Sequence, residues 1–121
     1  MSTPETDLLR AIMLQHGCGN TRLFRNNCGA WRDAEGRWVT YGVAPGGSDL
    51  IGWHSVCITP QMVGRVVGLF TAIEIKTPEG HTSPKRLKAQ RQFIKAVNEA
   101  GGLAGMVRSV EEAGAILGET T

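Results

Sequence analysis

The chain has 121 residues, of which 41% are hydrophobic and 20% charged, enough for one domain with one modest core. Its formal charge is only +2, so a nucleic-acid partner has to be argued from where the basic residues fall, not from their sum. No apolar run is long enough to span a membrane, no signal peptide is visible, and the odd, widely spaced Cys18, Cys28 and Cys57 fit a reduced, cytoplasmic compartment better than a disulfide framework.

Thr3-Pro4-Glu5 has the chemistry of a helix start, with Thr3 as N-cap and proline in the first turn. Leu8, Leu9, Ile12 and Met13 continue at helical spacing, and Gly17 to Asn20 stop the helix. Glu5 lies in line with Leu8, Leu9 and Ile12, which aims a carboxylate toward the core side; the plainer role is to complement the helix dipole. Thr21 to Asn26 and Trp38 to Tyr41 read as two strands around a turn rich in Gly, Asp and Glu. Trp31 and Trp53 read as packing residues in preference to base-stacking ones. Gly42 to Gly47 forms a loop that delivers Asp49 to a strand over Asp49 to Trp53. Thr59-Pro60 starts one helical turn over Gln61 to Val63.

Val66 to Ile75 is largely apolar, as expected of a buried strand. Residues two apart on a strand share a face, so Glu74 and Lys76 project together, with Ile73 and Ile75 on the other side. An acid and a lysine there are costly unless paired or bound to something. A strand-end ion pair is the ordinary explanation, and a phosphodiester site the functional one. Val56, Ile58, Met62, Val63, Val66, Val67 and Leu69 exceed what one short strand buries, which suits either core packing or, for part of the segment, an interface with a second copy of the chain.

The next helix has Ser83 as N-cap, Pro84 in its first turn and Gly101-Gly102 as its stop. Leu87, Ile94 and Val97 form its buried stripe, with Phe93 beside it. Gln90 falls inside that stripe and Gln92 on the far face, with Lys85, Lys88 and Lys95. Residues 84 to 100 hold five basic residues (Lys85, Arg86, Lys88, Arg91 and Lys95) against Glu99, a local excess of four. That face suits sequence-independent phosphate contact through Lys85, Lys88, Arg91 and Lys95, or is simply solvated. Leu103 to Val107 reads as a strand, and Ser109-x-x-Glu112 is a capping box opening a last helix to Leu117. The strand–helix–strand from Glu74 to Val107 has the length of a crossover unit. The element order predicts an α/β fold, a single domain over 1–121 with a central mixed β-sheet flanked by helices.

Gly47-Ser48-Asp49-Leu50-Ile51-Gly52, Ala72-Ile73-Glu74-Ile75-Lys76-Thr77, Gly80, Ser83-Pro84, Gln90-Arg91-Gln92-Phe93, Ala100-Gly101-Gly102 and Arg108-Ser109-Val110-Glu111-Glu112 follow one another in a recognisable order. With Glu5, Phe24-Arg25-Asn26-Asn27 and Gly29, this pattern resembles the VRR-NUC branch of the PD-(D/E)XK nucleases, in a small standalone form of the phage or bacterial type. Ser48 stands where the superfamily's motif has proline.

The resemblance implies a restriction-endonuclease-like core and a Mg²⁺-dependent endonuclease acting on DNA, with Mn²⁺ able to substitute and with structure preferred over sequence, four-way junctions included. It implies Asp49, Glu74 and the backbone carbonyl of Ile75 as metal ligands, Glu5 as an outer ligand, Lys76 at the attacking water or the scissile phosphate, and Gln90 bracing the lysine or the water. It also implies a homodimer. The rival expectation is a catalytically silent nucleic-acid-binding module that uses the basic helix 84–100.

Overall fold

The computed structural model describes residues 2–44 and 46–118. They form a mixed α/β structure with three α-helices and small two-stranded sheets. The chain separates into two compact units, Met1–Val56 and Cys57–Thr121.

The first unit begins with α1 (Pro4–His16). The Thr3 hydroxyl accepts a hydrogen bond from the Thr6 N–H, and the Gly17 N–H closes the last turn on the Met13 carbonyl. Thr6, Leu9 and Met13 are half-buried, whereas Leu8 is 62% exposed. The inward stripe is therefore rotated from the one expected over Leu8, Leu9 and Ile12. A two-stranded sheet offers the helix a narrow contact, and α1 rests chiefly on β1.

β1 (Thr21–Arg25) pairs antiparallel with β4 (Leu50–His54), in a register running from Thr21 opposite His54 to Arg25 opposite Leu50. β2 (Gly29–Arg32) pairs antiparallel with β3 (Trp38–Tyr41). Sequence patterning missed β2, because Gly29 and Ala30 carry little strand propensity. Trp38–Tyr41 pairs with β2, and not with the strand at Thr21–Arg25, whose partner is β4. The turn between β2 and β3 is closed by Asp33. Its carboxylate accepts from the Glu35 and Arg37 N–H groups at 3.0 and 2.9 Å and pairs with the Arg37 side chain. The Arg37 backbone N–H is the main cause holding the Asp33 carboxyl below its ordinary value.

In the second unit, a short 3₁₀ turn (Pro60–Met62) precedes β5 (Thr71–Ile75), α2 (Pro84–Glu99), β6 (Leu103–Val107) and α3 (Val110–Leu117). The strand expected from Val66 starts only at Thr71. Gly68 interrupts the apolar run, and Val66 is 99% exposed in irregular backbone. β5 and β6 are parallel, with Thr71 opposite Leu103 and Ile75 opposite Val107, and α2 makes the connection. α2 starts as expected, with the Ser83 hydroxyl accepting from the Arg86 N–H at 3.2 Å.

Asn98, near the end of α2, both accepts from the Ala104 N–H and donates to its carbonyl, tying the helix to β6. Val97 is fully buried and Val107 nearly so, which makes them the core of this unit. Burying one such side chain stabilises the fold by about 2 kcal/mol. Ile116 of α3 packs against Gly105, where a Cβ would stand only 2.6 Å from its Cδ1. α3 is capped by the Ser109 hydroxyl on the Glu112 N–H, while the Glu112 carboxylate reaches the Arg108 N–H at 2.7 Å.

Candidate functional site

The second unit carries the Glu74, Lys76 and Gln90 constellation. Burial alternates along β5: Ala72 and Glu74 are half-buried, and Thr71, Ile73 and Ile75 are exposed. Lys76, one residue past the strand, continues the half-buried series. Glu74 and Lys76 thus share the face toward α2, as the period of two requires, while Ile75 on the other face is 71% exposed instead of buried.

Gln90 on α2 joins the two charges. Its Nε2 donates to Glu74 Oε1 at 2.8 Å, and its Oε1 accepts from Lys76 Nζ at 2.6 Å. The charges dictate this amide orientation, since a carboxylate only accepts and an ammonium only donates. Lys76 Nζ also donates to Thr82 Oγ1 at 2.9 Å, and its direct approach to Glu74 Oε1 is 3.7 Å. Gln92 is exposed on the far side of α2. Thr82 was not singled out from the sequence; a lone threonine in the loop before a helix cap carries no signal of its own.

The Lys76 N–H donates to the Val107 carbonyl of β6 at 2.9 Å. Across a trans peptide the Ile75 carbonyl points the opposite way, so it faces the edge of β5 away from β6. Glu74 and Gln90 line a cavity of about 410 Å³ with Arg86, Phe93 and Ile94. Arg86, counted among the basic residues of this helix, thus lines the same cavity as Glu74. Lys85, Lys88, Arg91 and Lys95 are exposed; the last three line an open cavity of about 380 Å³, and Lys95 forms an ion pair with Glu99 at 3.8 Å.

The first unit carries the other acids. Asp49 directly precedes β4, and its carbonyl accepts from the Asn26 N–H at 2.8 Å, which extends the β1–β4 ladder by one rung. Glu5, Thr6, Leu9, Arg25, Asn27 and Asp49 line a cavity of about 200 Å³. Arg25 Nε donates to Asn27 Oδ1 at 3.1 Å, which fixes the guanidinium. The chain reaches Asp49 through Gly42, at φ +89°, where a Cβ would collide with Cys28 and the Asn27 carbonyl. Only glycine serves there.

Phe24 and Trp53 pack with ring centroids 5.5 Å apart, and the Arg22 guanidinium lies 5.3 and 5.4 Å from the two rings. Trp31 is 54% exposed, so of the core or interface packing expected for it the core role is not met.

Among the described residues no group of three or more His, Cys, Asp or Glu side chains gathers as a metal cluster. Glu5 and Asp49 line one cavity of the first unit, and Glu74 lies with Gln90 and Lys76 in the second. Among the described residues no helix is long and apolar enough to cross a membrane. Comparison with models of known families, with curated proteins and with solved structures finds no match.

Proposed function

We propose that the protein is a Mg²⁺-dependent endonuclease of the VRR-NUC type, built on a restriction-endonuclease-like core and hydrolysing DNA phosphodiester bonds with structural preference. The observation that carries this reading is the chain Glu74–Gln90–Lys76–Thr82. An ordinary ion pair closes to direct contact. Here a glutamine bonds both the acid and the lysine, whose Oε1 and Nζ stand 3.7 Å apart, with each charge oriented and half-buried. Holding charged groups in a fixed arrangement is what a reacting phosphate needs.

The ligands that the resemblance implies are all oxygen donors of the kind a hard cation takes: in the first unit the Asp49 carboxylate with Glu5 as an outer ligand, and in the second the Glu74 carboxylate and the Ile75 carbonyl. Among the described residues the polar contacts to Glu74, from Gln90 and Lys76, fall on Oε1. A bound Mg²⁺, or Mn²⁺ in its place, supplies positive charge at the phosphate and makes a bound water more acidic. Lys76, held by Gln90 and Thr82, places its ammonium beside the reacting oxygens. The exposed Lys85, Lys88, Arg91 and Lys95 hold the DNA backbone. The exposed Val56, Ile58, Val63, Val66, Val67 and Leu69 are apolar surface that a homodimer would cover, placing two sites for paired cuts. A cytoplasmic setting fits the three free cysteines.

The direct test is single-turnover cleavage of four-way junctions, flaps, nicked and intact duplexes in Mg²⁺ or Mn²⁺. Cleavage of a branched substrate ahead of intact duplex supports the reading. DNA binding without cleavage of any substrate, and without heat on titrating either metal, would establish the binding-only module instead.

Two variants sharpen it. Gln90→Ala should slow cleavage about 10- to 100-fold, the usual effect of losing a residue that orients a site, while Gln92→Ala should leave the rate near wild type. An equal loss at Gln92 would show that the helix face facing the chemistry is the other one. Replacing Lys85, Lys88 and Lys95 together by Gln should weaken DNA binding and flatten its salt dependence, by about 2 to 3 in the slope of log K against log salt. An unchanged slope would mean that DNA approaches by another surface.

A further inference from the structure

We propose that Asn26 is the positioning residue for Asp49, acting by stapling the two ends of the segment that carries Asp49 into β4; this rests on the nuclease reading above. Asn26 is the one buried polar residue among the described residues. Its Oδ1 accepts from the Val43 N–H at 3.0 Å, and its Nδ2 donates to the Ser48 carbonyl at 3.0 Å and to Cys28 Sγ at 3.1 Å. Its backbone N–H donates to the Asp49 carbonyl. One residue at the end of β1 therefore grips the chain as it leaves β3, the residue before Asp49, and Asp49 itself.

The chemistry requires an amide. Val43 presents a donor and Ser48 an acceptor, so the side chain between them must accept at one end and donate at the other. An aspartate has the same shape but no donor, and would set a carboxylate oxygen against the Ser48 carbonyl. Gly47 packs close on the same amide, where a Cβ would stand 3.0 Å from Asn26 Nδ2. The grip reaches the carboxylate through the shortest possible path, because Ser48 and Asp49 are adjacent. Asn27, the next residue, holds Arg25 in the cavity that Asp49 lines.

The test is the single-turnover rate of Asn26→Asp in Mn²⁺ on the best wild-type substrate. DNA affinity is measured in EDTA and folding by circular dichroism at the assay temperature. A folded Asn26→Asp that binds DNA as wild type does but cuts about 10- to 100-fold more slowly supports the proposal. The decisive arm is the cycle with Asp49→Glu, which keeps the charge and displaces it. If Asn26 works through Asp49, the double variant cuts no more slowly than Asp49→Glu alone.

A normal rate in folded Asn26→Asp, or additive losses in the cycle, overturns the positioning role and leaves the nuclease reading standing. An inactive wild type removes both. Where Asn26→Asp does not fold, Asn26→Ser, which removes the same amide and leaves the backbone bond to Asp49, is read by the same criteria.

Discussion

Asp49→Asn and Glu74→Gln are each expected to lower metal-dependent cleavage by at least ~10²-fold while both units stay folded. Each substitution removes one negative charge and almost no volume. Asp49 lies at the entrance of β4, where its backbone carbonyl, not its carboxylate, makes the ladder contact to Asn26. An asparagine keeps that rung. Glu74 accepts from Gln90 through Oε1, and a glutamine can still offer an oxygen there. Neither change creates a cavity, so circular dichroism should be unaltered. The loss should be seen at saturating Mg²⁺ as well as at low Mg²⁺, because a missing ligand also removes the charge that orients the bound group. A variant of either residue that cuts at the wild-type rate would show that its carboxylate is structural.

Lys76→Ala is expected to separate chemistry from binding. Lys76 is only 17% exposed in its side chain and is held by two acceptors, so it is unsuited to searching for DNA but well placed to act at one atom. Its loss should reduce the single-turnover rate by about 10²- to 10³-fold. DNA affinity, measured in Ca²⁺ to occupy the site with little cleavage, should stay close to wild type, as expected for an interaction made mainly in the transition state. The variant also leaves Gln90 Oε1 and Thr82 Oγ1 without their donor, so a modest loss of thermal stability should accompany it. Normal cleavage by Lys76→Ala would reduce the constellation to a strand-end ion pair and remove the main support for the nuclease reading.

The helix ends were legible because capping is local. Thr3, Ser83 and Ser109 each sit three residues before the N–H they accept from, and Pro4 and Pro84 follow their caps directly. The shared face of Glu74 and Lys76 was legible for the same reason: a strand's period of two needs no partner to define it. Placing Gln90 on the inward face of α2 and Gln92 on the outward one followed from helical spacing, and the hydrogen bonds from Gln90 to both charges agree with it.

What only the tertiary structure decided is pairing across distance. Nothing local to Thr21–Arg25 says that its partner is Leu50–His54 and not the nearer Trp38–Tyr41. Strand choice depends on which chain segments can close a ladder, and β2, built from Gly-Ala-Trp-Arg, lacks the side chains that announce a strand. The apolar stretch before Thr71 stays irregular because composition alone supplies no neighbour to bond to, and Gly68 falls within it. The contacts of Asn26 and Thr82 are not legible in the sequence for a related reason. Each is a small polar residue whose importance lies in the groups it meets, and for Asn26 those include groups 17 and 22 positions away along the chain. A sequence orders such residues, but only folding brings the donor to its acceptor.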